Sequence, residues 1–289
     1  MPDTVGQQDL RGLDIDKLAK GYADQDFVFK NFLTVTPTSA REIRWYRKTS
    51  GVPDTTDTSG ITASQIPGVA WGALPPIVEQ SATRLSTQVR HYAVQSPWMS
   101  YADIRDSDLD MLAINVRDLT RAVANQVDYR IFDVLSGSVA LSGAAAGTGW
   151  DDASNGNPIN DLLSGATQIA LQNYNISDLV VLLNPRQYQT LLNYLIVTKG
   201  SSIPSFSSGL AQNGVLMNVV GQKIVVSPNV TSGIVLQLVP QRTATWKQFT
   251  PITANVETKP GIGSQITVWE DGEIFVTDPN AGFMTTGAG

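Results

Sequence analysis

The amino-acid sequence predicts an α+β protein, and three observations support this fold class. Apolar residues recur every three or four positions from 109 to 135, a period that predicts one long amphipathic helix. An unbroken apolar run, DLVVLLN at 178–184, lies between two helical segments and is typical of a strand buried on both faces. Aspartate outnumbers glutamate by 21 to 5, and glycine, serine, threonine and asparagine are frequent, which favours strands and loops over further helices.

The composition excludes several function classes. The 289 residues carry 20 Lys plus Arg against 26 Asp plus Glu, a net charge of -6, which argues against a surface that grips nucleic acid. Cysteine is absent and His91 is the only histidine, so a Ser-His-Asp triad or a histidine-based acid–base pair has at most one possible anchor, and a two-histidine zinc site lacks its second ligand. The longest strongly apolar run, 179–183, is far shorter than the about 20 residues that span a membrane, so we expect a soluble chain without a secretory signal.

A short helix is predicted near the start of the chain. Leu10, Leu13, Leu18 and Tyr22 lie on one helical stripe, and Gly21 is expected to end the helix. Two roles stay open for this helix: it packs on its own domain, or it forms an arm on a neighbouring subunit.

A long hairpin is predicted next, with strands at 42–48 and 83–95. The segment between them is rich in threonine, serine, glycine, proline and aspartate, and little in it can form a core. Arms of about 15 to 20 residues reach roughly 50 to 65 Å, well beyond a body whose radius of gyration is about 19 Å. Because a two-stranded ribbon is marginal alone in water, the hairpin needs a partner surface.

The clearest element is the long helix. Ser107 and Asp110 have the spacing of a capping box, and about 29 residues ending at Gly137 make a rod of roughly 43 Å. The aspartates at 103, 106, 108 and 110 lie at the predicted start of this helix. We interpret them as groups that stabilise the positive end of the helix dipole rather than as ligands of a metal ion. The predicted core stripe is Leu109, Leu112, Val116, Leu119, Val123, Val127 and Ile131.

A helix–strand–helix unit follows a flexible connection at 137–157. We expect Asn160 or Asp161 to cap a helix that runs to about Asn173, and Pro185 to open a second helix through about Val197. Tryptophans at 71, 98 and 150 lie in loop-like sequence, where they can anchor either subunit contacts or intrachain packing.

The remainder is predicted to be β-rich. Strands are expected at 215–220, 222–227, 234–239, 253–258 and 265–278. Asp271-Gly272 is interpreted as a type I′ hairpin turn, and Gly261 and Gly263 as a turn without phosphate binding. The acidic residues at 270, 271 and 273 lack the pocket that acid–base chemistry requires. The tail from Asn280 is expected to pack loosely.

The order of these elements resembles the major capsid proteins of tailed phages, with the Hong Kong 97 type of coat fold. The likeness covers about residues 30–285, and it is carried by DLVVLLNPRQYQTLLNYL at 178–195, GQKIVVSPNV at 221–230 and TVWEDGEIFVTDP at 267–279. It implies an N-terminal arm (1–37), an extended loop (38–95), a peripheral domain with the spine helix (96–157), an axial domain (158–242), and return strands with a tail (243–289).

The resemblance implies that the missing partner of the hairpin is a neighbouring copy. Alternating strand positions split the basic cluster at 41–48 between two faces, which favours subunit ion pairs or a solvated loop over nucleic-acid contact. The expected contact residues are Arg41, Arg44, Trp45, Arg47, Lys48, Trp71, Arg84 and Arg90.

The implied function is self-assembly, without catalytic residues, cofactor or metal. Pentamers and hexamers are expected to form an icosahedral shell around double-stranded DNA, in a virion assembled in the host cytoplasm. Scaffolding, portal and decoration proteins are possible separate partners, and cross-linking through Lys48 is disfavoured because no matching motif accompanies it. An encapsulin-type nanocompartment and a carboxylate or metal hydrolase stay open as alternatives.

Overall fold

The computed structural model describes residues 12–26, 28–49, 70–74, 82–100, 111–145, 149–152, 155–198 and 218–289. The predicted α+β class is confirmed. The helices in this part of the chain are α1 (Gly12–Asp26), α2 (Met111–Ser138), α3 (Pro158–Leu171) and α4 (Pro185–Asn193), the last continued by a π-helical turn at Tyr194–Thr198. None of them is long and apolar enough to cross a membrane.

The strands form two sheets and a separate pair. Strands β1 (Thr34–Pro37), β11 (Ala244–Lys259), β12 (Gly263–Val276) and β4 (Arg90–Gln95) lie in this order in a five-stranded sheet, with β5 (Met99–Ser100) also paired to β12. The six-stranded sheet has the order β6 (Leu141–Ala144), β13 (Gly282–Thr286), β10 (Ile234–Leu238), β7 (Val180–Leu183), β9 (Gln222–Val226) and β8 (Asn218–Val219). Strands β2 (Glu42–Lys48) and β3 (Ala82–Gln88) pair only with each other in the described chain.

The long helix α2 is confirmed as the spine of the fold. Its residues Val116, Val123, Val127 and Ile131 are fully buried, in a cluster of apolar side chains that includes residues of both sheets, and Leu119 packs against this cluster. This stripe buries the helix because its spacing of three to four residues keeps it on one face. The backbone of Leu112 is helical, whereas Leu109 and the capping pair at 107 and 110 lie outside the described residues.

The first helix packs on its own domain. Ala19 and Ala23 are fully buried, and the Asp16 carboxylate accepts a hydrogen bond from the Ala254 backbone N–H at 3.1 Å. The expected stop at Gly21 is wrong, since α1 continues to Asp26. Glycine costs a helix about 1 kcal/mol, and the burial of neighbouring alanines offsets that cost.

The predicted hairpin turn at Asp271-Gly272 is wrong. Strand β12 continues through both residues, opposite a register shift in β11 between Gln248 and Thr250, and the turn lies instead at 260–262, where Gly261 has a φ of 77°. Gly272 serves a different purpose, because a Cβ added there would lie 2.4 Å from the buried ring of Trp246. The glycine lets the indole approach the strand backbone. The turn expected around Gly261 is confirmed.

The helix α3 begins at a different cap from the one expected. The Asn157 side chain accepts a hydrogen bond from the Asn160 N–H at 3.2 Å, and Pro158 opens the helix. Asp161 is buried in the first turn and accepts a hydrogen bond from Trp150 Nε1 at 2.7 Å. Trp150 is therefore part of the core of its own chain.

Two segments predicted to be loose are strands of the six-stranded sheet. Strand β6 lies in the supposed flexible connection, and β13, in the supposed loose tail, pairs with both β6 and β10. A Cβ on Gly143 would lie 3.0 Å from Phe283 Cζ, so the small residue makes room for a buried ring. Small side chains here reflect close packing rather than flexibility.

Candidate functional site

The candidate assembly site is the pair β2–β3, called the ribbon below. Its seven residue pairs run from Glu42 opposite Gln88 to Lys48 opposite Ala82. Seven residues span about 23 Å, so this part is shorter than the predicted arms. The sequence at 50–69 and 75–81 lies outside the described residues. In the described chain neither outer edge of the ribbon is paired with a third strand.

The prediction of one strand at 83–95 is wrong. The ladder of the ribbon ends at Gln88, and β4 pairs with β12 from Arg90 onward. This switch places Tyr92 in the core, with its ring 6.3 Å from that of Trp246. Burial of this ring explains why the chain leaves the ribbon. Arg90 accordingly belongs to the five-stranded sheet and not to the extended loop.

The ribbon has an inner and an outer face. On the inner face, Trp45 and Arg47 are partly exposed, and Ile43 is buried. On the outer face, Arg44 and Arg84 are exposed and Tyr46 is 67% exposed. This alternation agrees with the predicted division of the basic cluster between two faces.

The predicted contact residues therefore differ in their exposure. Arg41, Arg44, Arg84 and Trp71 are exposed, so they are accessible to another copy. Arg44 also makes an exposed ion pair with Glu42 of its own strand at 2.9 Å. The sequence did not anticipate that Trp45 and Arg47 face their own body.

Trp45 attaches the ribbon to the end of β12. Its ring centroid lies 4.9 Å from that of Phe275, and its Nε1 donates a hydrogen bond to the Val276 carbonyl at 3.2 Å. Beside this contact is a cavity of about 200 Å³ between the ribbon, α2 and β12. Its lining includes Trp45, Arg47, Leu85, Arg130, Val134 and Phe275.

Lys48 makes the second attachment. Its backbone N–H donates to the Thr277 carbonyl at 2.9 Å, and its ammonium lies 5.9 Å from the centre of the Tyr174 ring. Tyr174 in turn donates a hydrogen bond to Asp278 at 2.6 Å. Burial, followed by this hydrogen bond, raises the pKa of Tyr174.

The attachment point is itself held firmly. Thr277 donates from its backbone N–H to the Thr243 carbonyl at 3.1 Å, and from its hydroxyl to the Arg242 carbonyl at 2.9 Å. These two chain segments connect the five-stranded sheet with the six-stranded sheet. The root of the ribbon is thus bonded to the junction between the sheets.

A group of buried charges lies near the middle of β12. Glu270 is fully buried, forms an ion pair with Lys30, and accepts a hydrogen bond from Gln248 Nε2 at 3.1 Å. Glu273 is buried between Arg130, at 3.0 Å, and Arg90, at 2.8 Å. Burial raises the pKa of Glu273, and the charge of Arg130 opposes that shift.

Asp128 joins the spine helix to the segment after α1. Its carboxylate accepts hydrogen bonds from the backbone N–H groups of Val28 at 2.9 Å and Phe29 at 3.2 Å. Burial raises the pKa of Asp128 to about 6, and the two backbone donors and Lys30 oppose the shift. The carboxylates near β12 therefore hold structural elements together.

The Asp271 carboxylate is less enclosed than these three. His91 Nδ1 lies 2.5 Å from an oxygen of Asp271 on an exposed part of the sheet. Within the described ranges, no three His, Asp or Glu side chains are grouped so that they could hold a metal ion. The aspartates at 103–110 lie outside those ranges.

Sequence reasoning missed Phe275, Thr277 and Tyr174 as attachment points of the ribbon. No motif marks them, because the contacts join residues more than a hundred positions apart. The buried charges carried a weak signal: Glu270 follows Ile266 and Val268 at every second position, which places it on the buried face of β12.

Comparisons with known proteins give one family match and several similar folds. A family model described as phage capsid protein matches residues 98–284. A search of curated proteins finds no match. Similar solved structures include a virus-like particle from Pyrococcus furiosus, at 13% identity with a TM-score of 0.63, covering 94% of this chain and 98% of that one. The capsid of Cyanophage P-SCSP1u is 13% identical with a TM-score of 0.66, covering 90% and 88%. The structure from Mycobacterium phage Che8 is 14% identical with a TM-score of 0.61, and the match covers 100% of this chain and 94% of that one.

Proposed function

Because the chain belongs to the phage capsid protein family, we propose that its copies assemble as pentamers and hexamers into an icosahedral shell that encloses double-stranded DNA. The observation that carries this proposal is the ribbon, whose outer edges pair with no third strand in the described chain. Two strands alone are marginal in water, and open edges recruit further chain. A neighbouring copy supplies that surface in a shell.

The exposed outer face of the ribbon is the proposed contact surface. It presents Arg44 and Arg84 next to Tyr46, in a chain whose net charge is -6. A basic surface on an acidic chain favours contact with another copy of the same chain. The acidic balance also suits a wall that confines DNA without adhering to it. No side chain has to perform chemistry in this role.

The proposal extends to organisation and location. The extended loop is assigned to residues 38–89, which is shorter than the sequence suggested because β4 belongs to the body. The site of action is the virion, after assembly in the host cytoplasm. Scaffolding, portal and decoration functions are assigned to separate proteins.

Electron microscopy of the purified chain tests this proposal. The wild-type chain should form closed shells, whereas a variant with residues 51–76 replaced by a short glycine–serine linker should not. Far-UV circular dichroism and thermal melting provide the control, and they should show that the variant keeps the fold of the body. The proposal would be contradicted if both chains formed shells equally well. It would also be contradicted if the wild-type chain stayed monomeric, both alone and with added DNA and a scaffolding protein.

The contents of shells isolated from cells separate the proposed function from its nearest alternative. Packaged double-stranded DNA supports a virion. An enzyme cargo without DNA would identify a cellular compartment built on the same fold.

A further inference from the structure

The ribbon is attached to its own body before any neighbour is present. Its inner face contributes the Trp45 ring to Phe275, and its Lys48 backbone bonds to Thr277. These contacts involve residues 275–277, a continuous stretch at the end of β12, which we call the seat. An isolated two-stranded ribbon has no fixed direction, so these contacts decide where it points.

The seat is rigid because it belongs to the junction between the sheets. Thr277 makes two hydrogen bonds to the segment Arg242–Thr243, and Phe275 is only 5% exposed. A side chain that packs on such a base restricts the ribbon more than contact with a mobile loop does. A cavity of about 200 Å³ lies beside Trp45, whose indole is one of the side chains between the ribbon and β12.

We propose that Trp45 is a positioning residue, which together with Lys48 fixes the direction of the ribbon in the single subunit and presents its outer face to the next copy. This direction is a property of one chain, whereas its use in assembly rests on the proposed function. A contact surface that is already ordered loses less conformational entropy on association, so assembly begins at a lower concentration.

The distance between two spin labels, measured in the dilute subunit, tests whether Trp45 fixes the direction of the ribbon. The chain has no cysteine, so Ser86→Cys on the ribbon and Gln126→Cys on α2 give two unique spin-label positions. Both side chains are exposed. The wild-type background should give one narrow distance distribution, and Trp45→Ala should broaden it. Trp45→Phe, which keeps an aromatic ring and loses the N–H donor, should give an intermediate width.

Tyr46→Ala is the matched control. Tyr46 is the next residue on the same strand but is 67% exposed on the outer face, so its removal should leave the distance distribution narrow. An unchanged distance distribution in Trp45→Ala, or a broad distribution in the wild-type background, would contradict the proposal that Trp45 fixes the direction of the ribbon.

Assembly provides the second readout. The concentration at which shells first form should rise on the order of tenfold in Trp45→Ala, which corresponds to about 1.4 kcal/mol of ordering cost. Shells that form at the wild-type concentration, despite a broadened distance, would refute the positioning role. If the wild-type chain forms no shells at all, the proposed function fails, while the distance measurement still decides whether Trp45 orients the ribbon.

Discussion

Substitution of Gly272 by alanine tests whether this residue is a packed strand position or a turn. An added Cβ would lie 2.4 Å from Cζ2 and 2.6 Å from Cε2 of Trp246, and 2.9 Å from the Lys247 carbonyl oxygen. Favourable carbon contacts lie at about 3.5 to 4.0 Å, so the indole must move by about 1 Å. Trp246 is fully buried beside the Tyr92 ring and the Lys30 ammonium, and it has little space for that movement.

The expected cost follows from two opposing effects. Overpacking of a well-filled core costs about 1–3 kcal/mol, and the enclosed indole places this substitution near the upper value. Replacing glycine by alanine also restricts the unfolded chain, which returns about 0.4–1 kcal/mol. The free energy of unfolding should therefore fall by about 2 kcal/mol in Gly272→Ala.

Chemical denaturation of the dilute subunit, followed by circular dichroism, measures this change. Gly137→Ala is the matched control, because an added Cβ meets no atom within 4 Å and the residue lies in α2. That substitution should stabilise the protein by up to about 1 kcal/mol. Trp246→Phe should relieve the clash, so the double variant Gly272→Ala/Trp246→Phe should be at least about 1 kcal/mol more stable than the summed single effects predict.

Three results would refute this reasoning. Gly272→Ala could stabilise the protein as Gly137→Ala does. The two effects at Gly272 and Trp246 could be additive. Gly272→Asn could be tolerated as well as alanine, as expected only if residue 272 were in the left-handed conformation of a turn.

Three further predictions concern buried charges and a helix cap. Burial raises the pKa of Asp128 from 3.8 to about 6, so folding favours its protonated form. This contribution to the free energy of unfolding is fully present below pH 3.8 and is lost as the pH rises through 6. Urea titrations should show that the free energy of unfolding falls by up to about 3 kcal/mol over this range, and that Asp128→Asn lacks this fall. Arg130→Gln should cost about 2 kcal/mol at pH 7 by denaturation, and the cost should shrink as the pH falls, because burial raises the pKa of its partner Glu273 and favours the neutral carboxyl; the exposed partner variant Asp133→Asn should cost under about 0.5 kcal/mol, and equal losses would contradict a buried ion pair. Asn157→Ala should cost about 1 kcal/mol and Asn160→Ala less than half of that in thermal melts, whereas the reverse order would restore the cap expected from the sequence.

The regular elements were accessible to sequence reasoning where one face is buried along a whole element. The stripe from Val116 to Ile131 specified the spine helix, because burial must repeat with the helical period. The run at 178–184 specified a central strand, and Val180–Leu183 is buried at every position. The alternation at 42–48 placed basic side chains on two faces of a strand.

Glycine and other small residues misled the prediction, because the sequence does not distinguish a flexible site from a close approach. Asp271-Gly272 has the composition of a turn, and only the position of Trp246 shows why glycine is required in a strand. Similarly, β6 (LSGA) and β13 (GFMTT) each combine glycine and small polar residues with one or two large apolar ones. They become strands because β13 supplies backbone partners to β6, and β13 itself lies between β6 and β10.

The candidate site likewise contains residues that the local sequence identified and residues whose position only the structure shows. The exposed arginines at 41, 44 and 84 were identified from the sequence because charge density is a local property. The inward position of Trp45 and the separation of Arg90 from the ribbon depend on which strand each residue meets.

The sequence by itself determined the fold class, the spine helix, the buried central strand and the existence of a strand pair near the beginning, because these depend on periods and compositions within short windows. Only the tertiary structure decided that strand 90–95 joins the body, that Gly272 accommodates an indole and that Trp45 seats the ribbon on residues 275–277. These contacts join residues up to 231 positions apart, and their free energy depends on shape and burial that no local pattern records.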